Sequence, residues 1–565
     1  MRGRRDAIYI TALLLLTALT WLPRRSGPIE MRWDAGIYYI LGTSLEQGSG
    51  YRLLNEPGEI RAVQYPPLVP AIIALHERAL GTNDPARAGR WLKLTWFLLF
   101  AILMAGTYFL FKRYAGPGRA FVGAALCALN FQLYFHSSQC AAELPFAVAA
   151  VGFLLANRKD ARPVDDAIAG IAAVAAFLAR TIGIALLGAW VADALLRRKF
   201  RRAAVRGLVA LAPVLLWNGY IRSVERSPEY RNPAYPYQRA GYVFYNVSYA
   251  ENMKYKDPFR PELGLAGPRD MAARFFGNVA RLPASLGAAV TSHEGYWDLE
   301  RKAVNRRAGF TLIPTWLMTA ALIAAGCLVL AGTVLLFVRR DWPIALSIAA
   351  TLAAACLTPW PTQITRYVTP IIPMLLIAVF ALFGAIRPRR RAWRLAARAL
   401  LLFVFVELAA TYYLAHTLYF GTVRGRKGAV YHQLVYSAAD RALDDSADWI
   451  AAHARPSDIV AASMPGWISL RTGLKTVLQP LEASPEKAQA LLESVPVRYL
   501  IVEDPSSLTS FAWTYMTAVL GKYPDKWRLV YESGDRRVRV YEWGGPSARQ
   551  EVRPTPARRR FSRMG

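Results

Sequence analysis

The chain has 565 residues, 54% of them hydrophobic, and a formal charge of +30. So much apolar surface is hard to bury in a soluble fold, and it gathers in runs of about 15–25 residues, the length that crosses a bilayer core. A soluble chain this basic would suggest nucleic acid. Here Arg and Lys cluster between the apolar runs, as membrane topology produces, so nucleic acid is not an expected partner.

In chain order, Arg2, Arg4 and Arg5 precede a first apolar run that resembles a secretory leader, but Trp21-Leu22-Pro23 offers no small-x-small cleavage site. A retained first span over 7–23 is expected. Further spans are expected near 91–111, 119–136, 143–157, 165–179, 181–196, 204–221, 310–338, 342–358, 367–386 and 398–420, about eleven in all. Residues 66–80 are too short and Pro-rich to cross and read as an interfacial helix.

One alternating set of connections carries Arg2/Arg4/Arg5, Lys112/Arg113/Arg119, Arg158/Lys159/Arg162, Arg197/Arg198/Lys199/Arg201/Arg202, Arg339/Arg340 and Arg387/Arg389/Arg390/Arg391/Arg394. The short connections of the other set, near 137–142, 180 and 359–366, carry only Arg180 and Arg366. The positive-inside rule predicts the first set in the cytoplasm. Residues 1–420 then form a transmembrane domain with large extracytoplasmic loops at 24–90 and 222–309. The segment 421–545 reads as a small extracytoplasmic α/β domain. Its strand-like runs are Asp458–Ala462, Lys475–Leu478, Arg498–Val502, Trp527–Tyr531 and Arg537–Trp543, and its helical stretches lie near 440–454, 484–495 and 508–521. Residues 546–565 are Pro/Arg-rich and expected to be disordered.

Cys127, Cys140, Cys327 and Cys356 lie in or beside apolar runs with no metal or disulfide spacing. Walker A and Gly-x-Gly-x-x-Gly signatures are absent, against a nucleotide-powered pump. The first large loop begins Glu30-Met-Arg-Trp-Asp-Ala-Gly-Ile-Tyr-Tyr39, with Asp34 about ten residues after the first span. A carboxylate there can take a proton from an acceptor hydroxyl or coordinate a divalent ion; equally, it can cap a helix. Loop 222–309 is rich in Tyr, suited to sugars or to the membrane interface. Asn246-Val-Ser248 matches a glycosylation sequon, and His293-Glu294 reads as structural.

An aspartate soon after the first span, followed by an aromatic run, Gly48-Ser-Gly-Tyr51 and Tyr65-Pro-Pro-Leu-Val-Pro70, resembles the first outer loop of GT-C-type glycosyltransferases. The resemblance is nearest to the branch of protein O-mannosyltransferases and aminoarabinose lipid A transferases. Ser137-Ser-Gln-Cys-Ala-Ala-Glu143-Leu-Pro-Phe146 resembles the second outer loop, and Arg366-Tyr-Val-Thr-Pro370-Ile-Ile-Pro373 the start of a late span. One departure is Ala35, where many relatives carry a second acid.

The resemblance implies an α-helical polytopic fold and inverting transfer of a hexosyl or pentosyl group from a polyprenyl-phosphate donor to a lipid, glycan or protein acceptor. The place implied is the extracytoplasmic face of a bacterial cytoplasmic membrane. Asp34 takes the role of base. Glu143 assists, or binds Mg or Mn together with Asp34; its alternative role is to satisfy a helix N-terminus. Arg366, Arg180 and Tyr367 take the donor phosphate, since a guanidinium can hold two phosphate oxygens; either arginine can instead snorkel to head groups. Tyr38, Tyr65 and His136 fall on the substrate side. Competing readings are a lipid or glycan transporter or flippase, which would place charges at mid-membrane in paired repeats, a membrane-anchored sensor built on the C-terminal domain, and an oligosaccharide ligase.

Overall fold

The computed structural model describes residues 2–25, 27–159, 161–239, 244–292, 294–385, 401–413, 436–504 and 512–544, with isolated positions between 395 and 399. His293, the cluster Arg387/Arg389/Arg390/Arg391/Arg394, the end of the last expected span (414–420) and the tail 546–565 lie outside the described residues.

Where residues are described, the expected spans fall on helices. Helix α1 (Arg2–Trp21) is followed by α2 (Asp34–Glu46), α3 (Leu68–Leu80), α4 (Pro85–Phe111), α5 (Pro117–Leu129), α6 (Phe131–His136), α7 (Glu143–Ala156), α8 (Pro163–Ala179), α9 (Ile184–Leu196) and α10 (Phe200–Glu225). Then come Pro268–Val290, Thr315–Val338, Trp342–Cys356 and Ile372–Ala385, the last preceded by the short helix Ile364–Val368. Among the described residues, five helices are long and apolar enough to cross a membrane, and five shorter apolar helices accompany them. Together they form a multi-pass α-helical membrane domain.

Helix Pro268–Val290 is the main departure from expectation within loop 222–309. Arg269, Arg274 and Arg281 dilute its hydropathy, but Leu282, Leu286 and Val290 are buried on one face. It packs on Thr315–Val338, where Gly287 and Gly326 leave room for the two backbones to touch. Asn278 donates to the carbonyls of Cys356 and Thr358, each at 2.9 Å, which ties this helix to the end of Trp342–Cys356.

The bundle has two chemically distinct ends. At one, Arg113 donates to the carbonyl of Leu154 (2.6 Å), Arg202 to that of Ala161 (3.1 Å), and buried Arg206 contacts Asp166, Asp193 and Asn157. These groups lie at the C-terminal ends of α4, α7 and α9 and the N-terminal ends of α8 and α10. Glu143 and Arg180 lie at the opposite ends of α7 and α8, and Asp34 and Arg366 stand with them.

The C-terminal domain holds a five-stranded sheet, β1 (Ile459–Ala462), β2 (Lys475–Leu478), β3 (Val497–Glu503), β4 (Trp527–Glu532) and β5 (Val538–Trp543), in the order β2-β1-β3-β5-β4. Strand β1 runs parallel to β2 and β3; β5 is antiparallel to β3 and β4. Parallel strands need crossovers, which helices Pro465–Thr472 and Pro485–Ser494 provide. The domain rests on both large loops: from the first, Asn55 O accepts from Thr476 N–H at 2.7 Å and Leu54 O from Lys475 Nζ at 2.6 Å, and from the second, Tyr237 Oη donates to Leu478 O.

Candidate active site

Two helix starts are brought together by backbone bonding. Glu30 N–H donates to Ser138 O (3.1 Å) and Cys140 N–H returns to Glu30 O (2.9 Å), which joins the loop before α2 to the loop before α7. Asp34 is the first residue of α2 and Glu143 the first of α7. A carboxylate is favoured at both places by the positive end of the helix dipole.

Arg180, in extended backbone between α8 and α9, and Arg366, in helix Ile364–Val368, close the group. Arg366 Nη2 donates to Asp34 Oδ2 at 2.7 Å, and its Nε donates to Glu143 Oε1. Arg180 Nη1 donates to the same Glu143 oxygen. The Glu143 side chain is 0% exposed and that of Asp34 15%, so Asp34 is the acid that a substrate can reach. The four residues form one neutral charge cluster drawn from four distant parts of the chain.

A cavity of about 180 Å³ opens beside this cluster. Asp34, Arg180, Arg366, Tyr65 and Tyr367 line it, with Gln64, Tyr249, Thr358 and Trp360 among the other walls. Tyr249 and Tyr367 share a hydroxyl–hydroxyl bond of 3.1 Å, and the Arg180 guanidinium stacks 4.9 Å from the Tyr367 ring. Tyr38 is buried behind Tyr65, ring centres 4.8 Å apart. Burial and the Asp34 charge push the Tyr65 and Tyr245 phenols well above their usual range, so both remain proton donors.

Of the residues singled out from sequence, Asp34, Glu143, Arg180, Arg366, Tyr65 and Tyr367 therefore meet. Tyr38 and His136 do not line the cavity. His136 is 3% exposed and sits behind Glu143, its Nδ1 3.9 Å from Oε2, where it contacts the acid and not the open space. The expected metal pair is arranged differently from a ligand set: a guanidinium bridges Asp34 and Glu143, and among the described residues no group of three or more His, Cys, Asp or Glu gathers. A Mg or Mn ion takes one or two carboxylates together with water and substrate phosphate, and here Arg366 already holds the space between the two acids. Asn246 of the sequon is 1% exposed, and Ser248 is engaged as the N-cap of helix Tyr249–Met253. A buried amide cannot serve as a glycan acceptor.

Gln64, Thr358 and Trp360 were not anticipated as walls; Tyr249 was, only as one of the loop 222–309 tyrosines suited to sugars or to the membrane interface. Gln64 precedes the Tyr65-Pro-Pro motif, and Thr358 and Trp360 lie a few residues before Arg366. Their nearness to quoted motifs is the only signal that the sequence carried.

No family model and no curated protein matches the chain. Solved structures do. ArnT from Cupriavidus metallidurans bound to undecaprenyl phosphate superposes with a TM-score of 0.53 at 14% identity, covering 97% of this chain and 99% of that one. The Archaeoglobus fulgidus oligosaccharyltransferase in complex with Zn and sulfate gives 0.51 at 12% identity, with 94% and 73% covered. The archaeal oligosaccharyltransferase AglB from the same organism, with an inhibitory peptide and a dolichol-phosphate, gives 0.50 at 12% identity, with 96% and 74% covered. The chain thus shares the fold of these solved structures, and the likeness extends over nearly its whole length.

Proposed function

We propose that the protein is a glycosyltransferase that moves a sugar from a polyprenyl-phosphate donor to an acceptor hydroxyl, with inversion, at the extracytoplasmic face of a bacterial cytoplasmic membrane. The observation that carries this reading is the Asp34–Arg366–Glu143–Arg180 cluster on the wall of a cavity, in a fold shared with structures bound to undecaprenyl phosphate and dolichol-phosphate.

The acceptor oxygen attacks the anomeric carbon as the bond from that carbon to the phosphate oxygen breaks. The electron pair leaves with the polyprenyl phosphate, and the acceptor proton passes to Asp34. With both acids ionised, the cluster of two carboxylates and two guanidinium groups is neutral before the step. Protonation of Asp34 makes it positive by one as the leaving phosphate gains one negative charge, so charge is balanced locally. Neutral Asp34 also holds Arg366 less tightly, which frees that guanidinium to bind phosphate oxygens. Glu143, sealed between two arginines, orients them and touches no substrate.

The charge pattern supports this face: Arg113, Arg202 and Arg206 sit at helix ends opposite those that carry Glu143 and Arg180, and the positive-inside rule gives a basic end to the cytoplasm. A donor whose phosphate lies in the head-group layer suits a site beside the ends of membrane helices. The sugar is a hexosyl or pentosyl group in this reading, and the metal expectation supplies no step.

The test is reconstitution of the purified protein in vesicles with radiolabelled undecaprenyl-phosphate sugars and a membrane extract as acceptor. The reading expects label to leave the donor for an acceptor fraction. Absence of transfer from every hexose and pentose donor, by well-folded protein, would overturn it.

A further inference from the structure

Two residues before Asp34, Arg32 is completely buried and is gripped from both ends of the chain. Its Nη1 donates to Glu30 Oε2 at 2.8 Å and its Nη2 to Asp444 Oδ2 at 2.9 Å, with Asp440 4.0 Å from Nε. Rings of Tyr436 and Trp467 stack on the guanidinium at 4.9 and 5.0 Å. Asp444 is itself fixed by Tyr436 Oη (2.7 Å) and Trp467 Nε1 (2.9 Å). Every group in this grip except Glu30 belongs to the C-terminal domain.

The backbone between Arg32 and Asp34 is under constraint. Trp33 has φ 58°, left-handed backbone that a bulky residue rarely adopts and keeps only when its surroundings impose it. One turn later the domain touches α2 directly. A Cβ on Gly36 would lie 3.2 Å from Gly466 C, and one on Gly466 would lie 2.9 Å from Ile37 Cδ1 and 3.3 Å from Gly36 C. The two glycines thus seat helix Pro465–Thr472 on the first turn of α2, backbone against backbone.

We infer that the C-terminal domain is a positioning device for Asp34: through Arg32–Asp444 and the Gly36–Gly466 contact it sets where the carboxylate stands relative to Arg366. Arg32, Asp444 and Gly466 are positioning residues that reach the reaction through Asp34. The inference rests on the reading of Asp34 as base. The physical grounds are that the domain meets α2 at its first turn, that the contact is buried ionic and backbone packing, which holds geometry tightly, and that the strained residue lies between grip and base. A domain that served only to bind acceptor would need no such junction.

The experiment uses the full-length protein in nanodiscs. Gly466→Ala adds one methyl group where Ile37 stands; Asp444→Asn removes the charge that holds Arg32. Leu492→Ala, in the domain's own core and away from the junction, is the control for mere destabilisation. The measurements are melting temperature, kcat and KM for an undecaprenyl-phosphate sugar, and hydrogen exchange at Ala35 and Gly36, whose amides bond to the carbonyls of Arg32 and Trp33. A misplacement of the base by about 1 Å is expected to lower kcat about tenfold or more in both junction variants, with donor KM within about twofold and faster exchange at both amides. Leu492→Ala should lower the melting temperature and leave kcat and that exchange unchanged. Wild-type kcat in both junction variants, or a kcat that follows melting temperature across all three proteins, overturns the inference. If Asp34→Asn turned over like wild type, the base assignment would fall, and the exchange measurement would still decide whether the domain governs the start of α2.

Discussion

Arg366 donates from Nη2 to Asp34 Oδ2 at 2.7 Å across 332 positions of sequence, and the same side chain reaches Glu143 with its Nε. One guanidinium thus registers the start of α2 against the start of α7. Asp34 is partly open to the cavity and Glu143 is sealed, so the two acids differ in access although they share a cation.

Arg366→Ala removes that register. With one partner of a charge cluster truncated, a loss of about 2–5 kcal/mol in transition-state binding is expected, read as a fall in kcat/KM of about two orders of magnitude or more. Arg366→Lys should recover part of it at most, since an ammonium cannot bridge two acids in a fixed plane. Steady-state kinetics with varied donor checks both variants, and unchanged values would remove Arg366 from the site.

Glu143→Gln should act chiefly on stability. It leaves Arg180 and Arg366 facing each other without the charge between them, at a cost of about 3–5 kcal/mol. A thermal melt in detergent should show a clear drop for Glu143→Gln and little change for Asp34→Asn, whose side chain keeps some solvent.

Glu56 gives a pH-dependent prediction. It is 2% exposed in the first large loop, close to Asn246 and Gln238, and burial pushes its carboxyl up to about 8. Unfolded, the same carboxyl ionises near 4.5. Between these values the folded state holds the proton and the unfolded state does not, so stability falls as pH rises, by at most about 1.4 kcal/mol per pH unit. Below 4.5 both states are protonated and the effect is absent. Glu56→Gln should flatten this slope in melts taken from pH 5 to pH 8, and an unchanged slope would show that Glu56 ionises in place.

Trp360 and Tyr249 form part of the cavity wall, their rings 5.7 Å apart. Trp360→Ala should raise donor KM several-fold or more, because a lost aromatic wall costs about 1–3 kcal/mol of contact. Tyr249→Phe, which keeps the ring and loses the hydroxyl's bonds to Tyr367 and Thr358, should have a smaller effect. Donor titration separates the two.

Much of the scaffold was legible because bilayer physics writes long apolar runs and places arginine between them. The strands of the C-terminal domain were legible for a similar reason: Ile459–Ala462 and Val497–Glu503 are β-branched runs bounded by turns. Helix Pro268–Val290 was not, because three arginines and Pro283 interrupt its average hydropathy while its buried face stays apolar. Of the site, the acids and arginines were visible and the resemblance implied that Asp34, Glu143 and Arg366 share one site, as they do, but the Arg32–Asp444 pair, 412 positions apart, left no signal. His136 stands near the right motif, and only packing shows that it backs Glu143 and does not face the cavity.

The most direct test of the account is Asp34→Asn in purified, vesicle-reconstituted protein, with kcat measured at saturating undecaprenyl-phosphate sugar and donor affinity measured separately by equilibrium binding. Loss of a general base predicts a fall in kcat of about 10²–10⁴ with donor affinity and melting temperature near wild type. Wild-type turnover by the asparagine variant would contradict it.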